Sequence, residues 1–415
     1  MKSQTPSLGN AARAAWRHSF RFLIALAMVI AARTPAWCAD VIYLESNSTT
    51  ANSVLAFKFD FTKAPTLISI TPTGGIGVFN KTFALGPFDS DQNLIVNPEG
   101  TLLFAVDSGS NSIAVFLINS DGSLTPVDGS PFPSGGSDPV SLGLNGSILT
   151  VVNKDQDPAQ NDNLVLPNYT TFSVSPRDGA LTPIPRSTVN VAYGSSPSQA
   201  LIASRGSVVF GADFLGGLLQ SFRLDEDGRL HQNPPQALPD SVFTGLTAPH
   251  GPLGMRTHPN LPILYVDITL ISEVAVYTYD MRGNLSFVRA VADAGAAPCW
   301  AVVNHEGTRL YVTNTGDNSI EVYDLTDPFN PVDIQHFAME GTTGAPFSTV
   351  INEFDHWLYV SSEQSTATAT TAANAFHTLK VGADGMLTEP FPPTVLPIGG
   401  IVPVQAQGIT VVGGH

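Results

Sequence analysis

The residues of this 415-residue chain with the type and setting for chemistry are mostly acidic, amide-bearing or aromatic. Asp107, Asp213 and His250 are the titratable groups suited to general acid–base work, if the fold brings them into one cleft. Gln92, Asn93, Ser198, Gln199 and Asn314 supply amides and a hydroxyl, and Trp300 a flat apolar face. Such a set suits a neutral polyol or sugar-like ligand, held by stacking and uncharged hydrogen bonds. The competing reading of Trp300 is that it only fills space between structural repeats. Cys299 would need an adjacent base to act as a nucleophile; no histidine is placed beside it, so a buried inert thiol is the alternative. The stretch NKDQDPAQNDN (153–163) carries Asp155, Asp157 and Asp162, oxygen donors of the kind Ca²⁺ takes. It lacks the spacing and glycine of a calcium loop and reads as a solvated acidic turn. No cofactor is expected.

What would position these groups is a repeat. The segment RLYVTNTGDNSIEVYDL (309–325) is two alternating apolar runs around Gly316-Asp317-Asn318, a hairpin signature. Related segments recur with Tyr43, Phe104, Thr150, Phe210, Tyr265, Tyr311 and Tyr359 at the aligned position, 46 to 61 residues apart. Before most copies stands a Pro-led apolar strand, as in PCWAVV (298–303). After them come a third strand and an Asp-Gly-type turn into a fourth, as in SDGSLTPV (120–127). Four strands per copy and seven copies predict an all-β chain, a seven-bladed β-propeller of four-stranded antiparallel blades. The first copy lacks its Pro-led strand, and VQAQGITVV (404–412) supplies an orphan one. It is expected to pair with 41–46 and close the ring. The aligned aromatics are expected to pack between blades. The starts of the inner strands and the ends of the Tyr-containing strands converge on one face of such a ring, and that mouth is where the candidate residues fall.

Residues 1–39 have a different composition. Lys2, Arg13, Arg17 and Arg21 precede the apolar run 22–32, the layout of an export signal, with small residues before Asp40. The expected organisation is a signal peptide over 1–39 and a single propeller domain over 40–415, secreted or periplasmic; an uncleaved anchor helix is the alternative. Loss of 1–39 removes five basic residues and no acidic ones, taking the net charge from −16 to −21. Nucleic acid and anionic membrane surfaces are therefore poor partners. A small neutral ligand such as a sugar or lactone, or a protein, is the expected partner of a monomer. With Cys38 in the signal and Cys299 alone, no internal disulfide staples the domain.

The motifs LTPVDGSPFPSG (124–135), VNPEGTLLFAVDSGSNSIAVF (96–116) and NHEGTRLYVTNTGDNSIEVYDL (304–325) resemble the seven-bladed lactonase family, the 6-phosphogluconolactonase and muconate-lactonising type. The resemblance extends over essentially all of 41–412. It implies a site with a histidine at a Pro-led strand start, an arginine after Gly-Pro, a glutamate after a Tyr-strand and a second arginine after Ser-Pro. The matching positions here hold Ser196 and Ser198, Leu253, Thr269 and Cys299. A phosphorylated lactone is a dianion that needs arginine-type clamps, so activity on 6-phosphogluconolactone is not expected. Two classes remain: a lactonase-like hydrolase or isomerase acting on a neutral lactone, and a non-enzymatic exported propeller that binds a small ligand or a protein.

Overall fold

The computed structural model describes residues 1, 39–78, 90–156, 165–204, 206–240, 251–339, 345–363, 374–396 and 407–413. Within 39–413 the strands form seven antiparallel sheets of four or five strands. The innermost strands of blades 1 to 7 are Gln407–Gly413, Leu94–Val96, Pro139–Asn145, Leu201–Ile202, Pro252–Thr257, Pro298–Val303 and Ala345–Ile351. The second strands are Asp40–Glu45, Leu102–Asp107, Ile148–Asn153, Val208–Asp213, Ile263–Ile268, Arg309–Asn314 and Trp357–Glu363. The extra strand in four of the sheets is a two-residue piece beside the third strand.

The segment 309–325 shows why these strands form. Arg309–Asn314 pairs with Ser319–Asp324, Tyr311 opposite Val322. Side chains alternate across a strand, so Leu310 and Val312 enter the cluster shared with blade 5, while Tyr311 enters the one shared with blade 7. Both faces of the blade are buried, which is why the run is apolar at every position rather than every second one. Each of the seven blade interfaces has such a cluster.

The ring closes as the orphan strand required. Gln407–Gly413 lies beside Asp40–Glu45, with Val41 opposite Val412 and Tyr43 opposite Thr410. Asp40 locks the same seam, accepting hydrogen bonds from Tyr359 Oη at 2.5 Å and Asn352 Nδ2 at 3.0 Å in blade 7. Closure gives Asp40–Glu45 a partner on both sides and blade 1 its full four strands.

The aligned aromatics are buried between blades, as expected. Their hydroxyls also clamp neighbours. Tyr43 donates to the Gly122 carbonyl at 3.0 Å, Tyr265 to Pro328 at 2.9 Å and Tyr311 to Gly385 at 3.0 Å, each across a blade interface. Phe104, Thr150 and Phe210 cannot repeat this contact. Between blades 3 and 4 Thr171 substitutes, donating to the Gly228 carbonyl at 2.5 Å.

Candidate functional site

The inner strands bring one polar network and one apolar cluster to the axis. Arg256, on the innermost strand of blade 5, donates from Nη2 to Asp91 Oδ2 and from Nε to the Ala301 carbonyl, both at 2.5 Å. Asp91 precedes the innermost strand of blade 2 and is buried. Its Oδ1 accepts from Ser348 of blade 7 at 2.9 Å, and Gln199 of blade 4 approaches Oδ2 at 3.4 Å. Gln199 also donates to Gln92 Oε1 at 3.0 Å and to the Met255 carbonyl at 3.2 Å, and it accepts from the Met255 N–H at 2.9 Å. One carboxylate thus ties four blades together, and the guanidinium facing it has its charge balanced.

Beside this network Phe214, Leu253, Cys299, Trp300 and Phe347 form a separate buried cluster. Trp300 is fully buried, its ring 5.7 Å from that of Phe347 at 68°, an edge-on packing. It presents no face to a ligand in this conformation. Thr313 holds the backbone there, its hydroxyl 3.0 Å from the carbonyls of both Trp300 and Phe347. Cys299 is buried, with its thiol 3.2 Å from the Ala297 carbonyl.

Asp267 emerges as a residue that sequence reasoning missed. It stands in blade 5 where blade 6 has Thr313, and among the described residues neither carboxyl oxygen has a hydrogen-bond partner. Complete burial pushes its pKa well above the carboxylate range, Asp293 and Asp91 push the same way, and Arg256 opposes them. A Cβ on Gly254 would lie 2.2 Å from the Cys299 carbonyl and 2.6 Å from Asp267 Oδ2, so only glycine permits this approach. Thr313, at the equivalent place in the next blade, bonds two carbonyls, and Asp267 makes neither contact.

The remaining candidates are spread around the ring. Asp107 accepts from Thr73 at 2.5 Å and Asn52 at 2.9 Å, and Asn52 also donates to Glu45 at 2.7 Å. Burial raises Asp107 to about 6, against the pull of these hydrogen bonds, and raises Glu45 well above its usual range. Asp213 caps a turn in blade 4, accepting from the N–H of Ser196 at 2.8 Å and of Gly216 at 2.9 Å. No described contact joins Asp107 to Asp213, and His250 lies outside the described residues. Asn93 donates to the Val140 carbonyl at 2.9 Å, and Ser198 approaches that of Leu253 at 3.3 Å. Asn314 is buried at the end of its strand, against Gly295. Asp155 is buried, its N–H donating to the Ser137 carbonyl at 3.0 Å; Asp157 and Asp162 lie outside the described residues. Among the described residues no three His, Cys, Asp or Glu side chains are grouped to hold a metal. A sequence signal for the axial network did exist: an arginine at an inner-strand position calls for a buried acid, and Asp91 stands at another strand's start.

Comparison with known proteins agrees with this architecture. Residues 236–378 match the family model described as Lactonase, 7-bladed beta-propeller. The chain is a seven-bladed β-propeller, and its stretch 236–378 is similar to the lactonase family of such propellers. Solved structures it resembles include a provisionally assigned 6-phosphogluconolactonase from Bacteroides uniformis, at TM-score 0.65 and 16% identity, covering 90% of this chain and 99% of that one. The periplasmic gluconolactonase of Pseudomonas aeruginosa gives 0.64 and 15%, covering 91% and 100%. A protein from Lactobacillus plantarum gives 0.66 and 15%, covering 90% and 99%. At such identities the likeness speaks for the fold alone. No curated protein matches the sequence significantly.

Proposed function

We propose that this chain is an exported lactonase-family propeller that takes an uncharged, sugar-lactone-like ligand at its mouth. The observation that carries this reading is the pairing of Arg256 with Asp91: the axial guanidinium is already neutralised and spent on protein acceptors. A phosphorylated lactone would find no unspent arginine clamp at Leu253 or Cys299, where the resemblance would place one. The Pseudomonas neighbour, called a periplasmic gluconolactonase, is consistent with both the neutral ligand and the compartment. Cleavage before Asp40 would leave its side chain docked on Tyr359 and Asn352.

The test is a comparison of gluconolactone with 6-phosphogluconolactone, for binding and hydrolysis, on purified exported protein. Preference for the neutral lactone, with an affinity nearly independent of salt, is expected; faster turnover of the phosphorylated one overturns the reading. Mass spectrometry should find the mature chain starting near Asp40, and an intact Met1 in exported material would refute export processing. A second reading, a binding propeller without catalysis, is favoured by the burial of Ser198, Gln199, Trp300 and Asn314. Saturable binding of the neutral lactone with no turnover would select it.

A further inference from the structure

Away from the mouth, the blade interfaces carry clefts on the face where the Asp-Gly turns lie. Between blades 2 and 3 the cleft is about 560 Å³, against about 190 and 200 Å³ for clefts between blades 6 and 7 and between blades 4 and 5. The larger one falls within the usual size range of small-molecule pockets. The interfaces also differ in how the aligned aromatic meets the next blade's turn. Between blades 6 and 7 the Tyr311 hydroxyl reaches the Gly385 carbonyl, and the Arg309 guanidinium donates twice to the Asp384 carbonyl, at 3.0 and 2.8 Å. Between blades 2 and 3 the corresponding aromatic is Phe104, which has no hydroxyl to offer the equivalent turn glycine, Gly179. No side chain of blade 2 is hydrogen-bonded to the Gly179 carbonyl among the described residues; Gly179 packs instead against Leu102, Val115 and Val127, and the cleft lies beside this contact.

The floor of the cleft is apolar: Leu102, Phe104, Leu144 and Val174. Its rim is charged and asymmetric. Glu99 on the blade 2 wall is held by Asn97 Nδ2 at 2.9 Å. Arg177 on the blade 3 wall is exposed and makes no hydrogen bond or ion pair with any described residue, although Asp178 feels its field. An apolar floor beside an uncommitted guanidinium is complementary to an amphipathic anion.

We propose that the cleft between blades 2 and 3 is a second ligand site, separate from the mouth, for a small amphipathic carboxylate. The tail lies over Leu102 and Leu144, and the carboxylate pairs with Arg177. Decanoate and its neutral counterpart decanol are the probes, titrated calorimetrically into the full chain. Wild type should bind decanoate saturably and about tenfold more tightly than decanol, a difference of about 1.4 kcal/mol. Arg177→Gln should erase that difference by weakening decanoate alone. Glu99→Gln, which removes a like charge, should tighten decanoate two- to threefold. Leu144→Trp fills the cleft and should reduce binding of both probes at least fivefold. No saturable decanoate binding to wild type, or equal binding of both probes by wild type and Arg177→Gln, would overturn the proposal. So would unchanged binding in a folded Leu144→Trp variant.

Discussion

The seams between blades and the axis of the ring are built on opposite principles. At the seams one device recurs: an aromatic on the second strand packs between blades, and at Tyr43, Tyr265 and Tyr311 its hydroxyl takes a backbone carbonyl of the next blade. At the axis the residue changes from blade to blade, with only serine used twice. The same inner-strand position carries Asn93, Ser141, Gln199, Gly254, Trp300 and Ser348 in blades 2 to 7, while Asp91 and Arg256 reach in from other positions. The seams make a ring of similar blades, and any one of them is a modest share of the whole. The axis joins particular blades to one another, so a single residue there has no substitute.

The largest effect should therefore come from the axis. Asp91→Ala leaves Arg256 largely buried with only the Ala301 carbonyl, and removing one partner of such a pair typically costs about 3–5 kcal/mol. Denaturant unfolding should show a loss of that order. A loss under about 1 kcal/mol would mean that water or a rearranged Gln199 replaces the carboxylate, and the axis would then be no less redundant than the seams. Pairing Asp91→Ala with Arg256→Met should recover most of the loss, because no lone charge stays buried.

Trp300→Ala comes next, and it bears on both the comparison and the ligand. A fully buried tryptophan replaced by alanine costs about 3–5 kcal/mol when the site cannot collapse. If the indole is packing, lactone binding survives in protein that remains folded. If the mouth opens to expose it, affinity should fall by about 1–3 kcal/mol. A thermal melt alongside a calorimetric titration separates these outcomes.

Asp107 sits where seam and mouth meet, and it should give the fold a pH dependence. Burial raises its pKa to about 6, whereas an unfolded aspartate titrates near 3.9. The folded chain therefore holds the proton more tightly. The stabilisation this gives is complete below about pH 4 and is lost as the pH rises through about 6, by roughly 2–3 kcal/mol. Glu45, across Asn52, is also raised and continues the loss in the same direction. Asp107→Asn keeps an oxygen for Thr73 and Asn52 but cannot ionise. It should be more stable than wild type at pH 8 and lack the slope between pH 4 and 6. A variant that keeps the slope would assign it to another group.

These two regions also differ in how far the sequence discloses them. The seams were legible because both faces of every blade are buried: Leu310, Tyr311 and Val312 advertise themselves by being apolar in succession, and the pattern returns seven times. Closure was legible for the same reason, since a ring of four-stranded blades leaves one strand missing at Asp40 and one spare near Gly408. The axial network was not. Asp91 and Arg256 are 165 residues apart, and each looks ordinary within its own blade. Mouth positions could be named from the repeat, but not whether Trp300 or Ser198 faces solvent, because that depends on what the opposite blades contribute. Asp267 was passed over because it stands one residue before the strand end that the repeat marks.

The smallest expected effect tests the seams themselves. Tyr311→Phe removes one hydroxyl and leaves the ring packed against the same neighbours, so the loss is one buried hydrogen bond to the Gly385 carbonyl. Such a bond contributes about 1 kcal/mol net. The residual cost depends on whether Gly385 finds water, and Arg309 already covers that turn through two bonds to Asp384. Arg309 should therefore compensate in part, and Tyr311→Phe should cost less than Tyr43→Phe, whose partner Gly122 is flanked by Val41 and Ile68 instead. Urea unfolding of the two variants and of wild type resolves the difference. Should Tyr311→Phe cost as much as Asp91→Ala, the seams would be as irreplaceable as the axis, and the distinction between the two regions would fail.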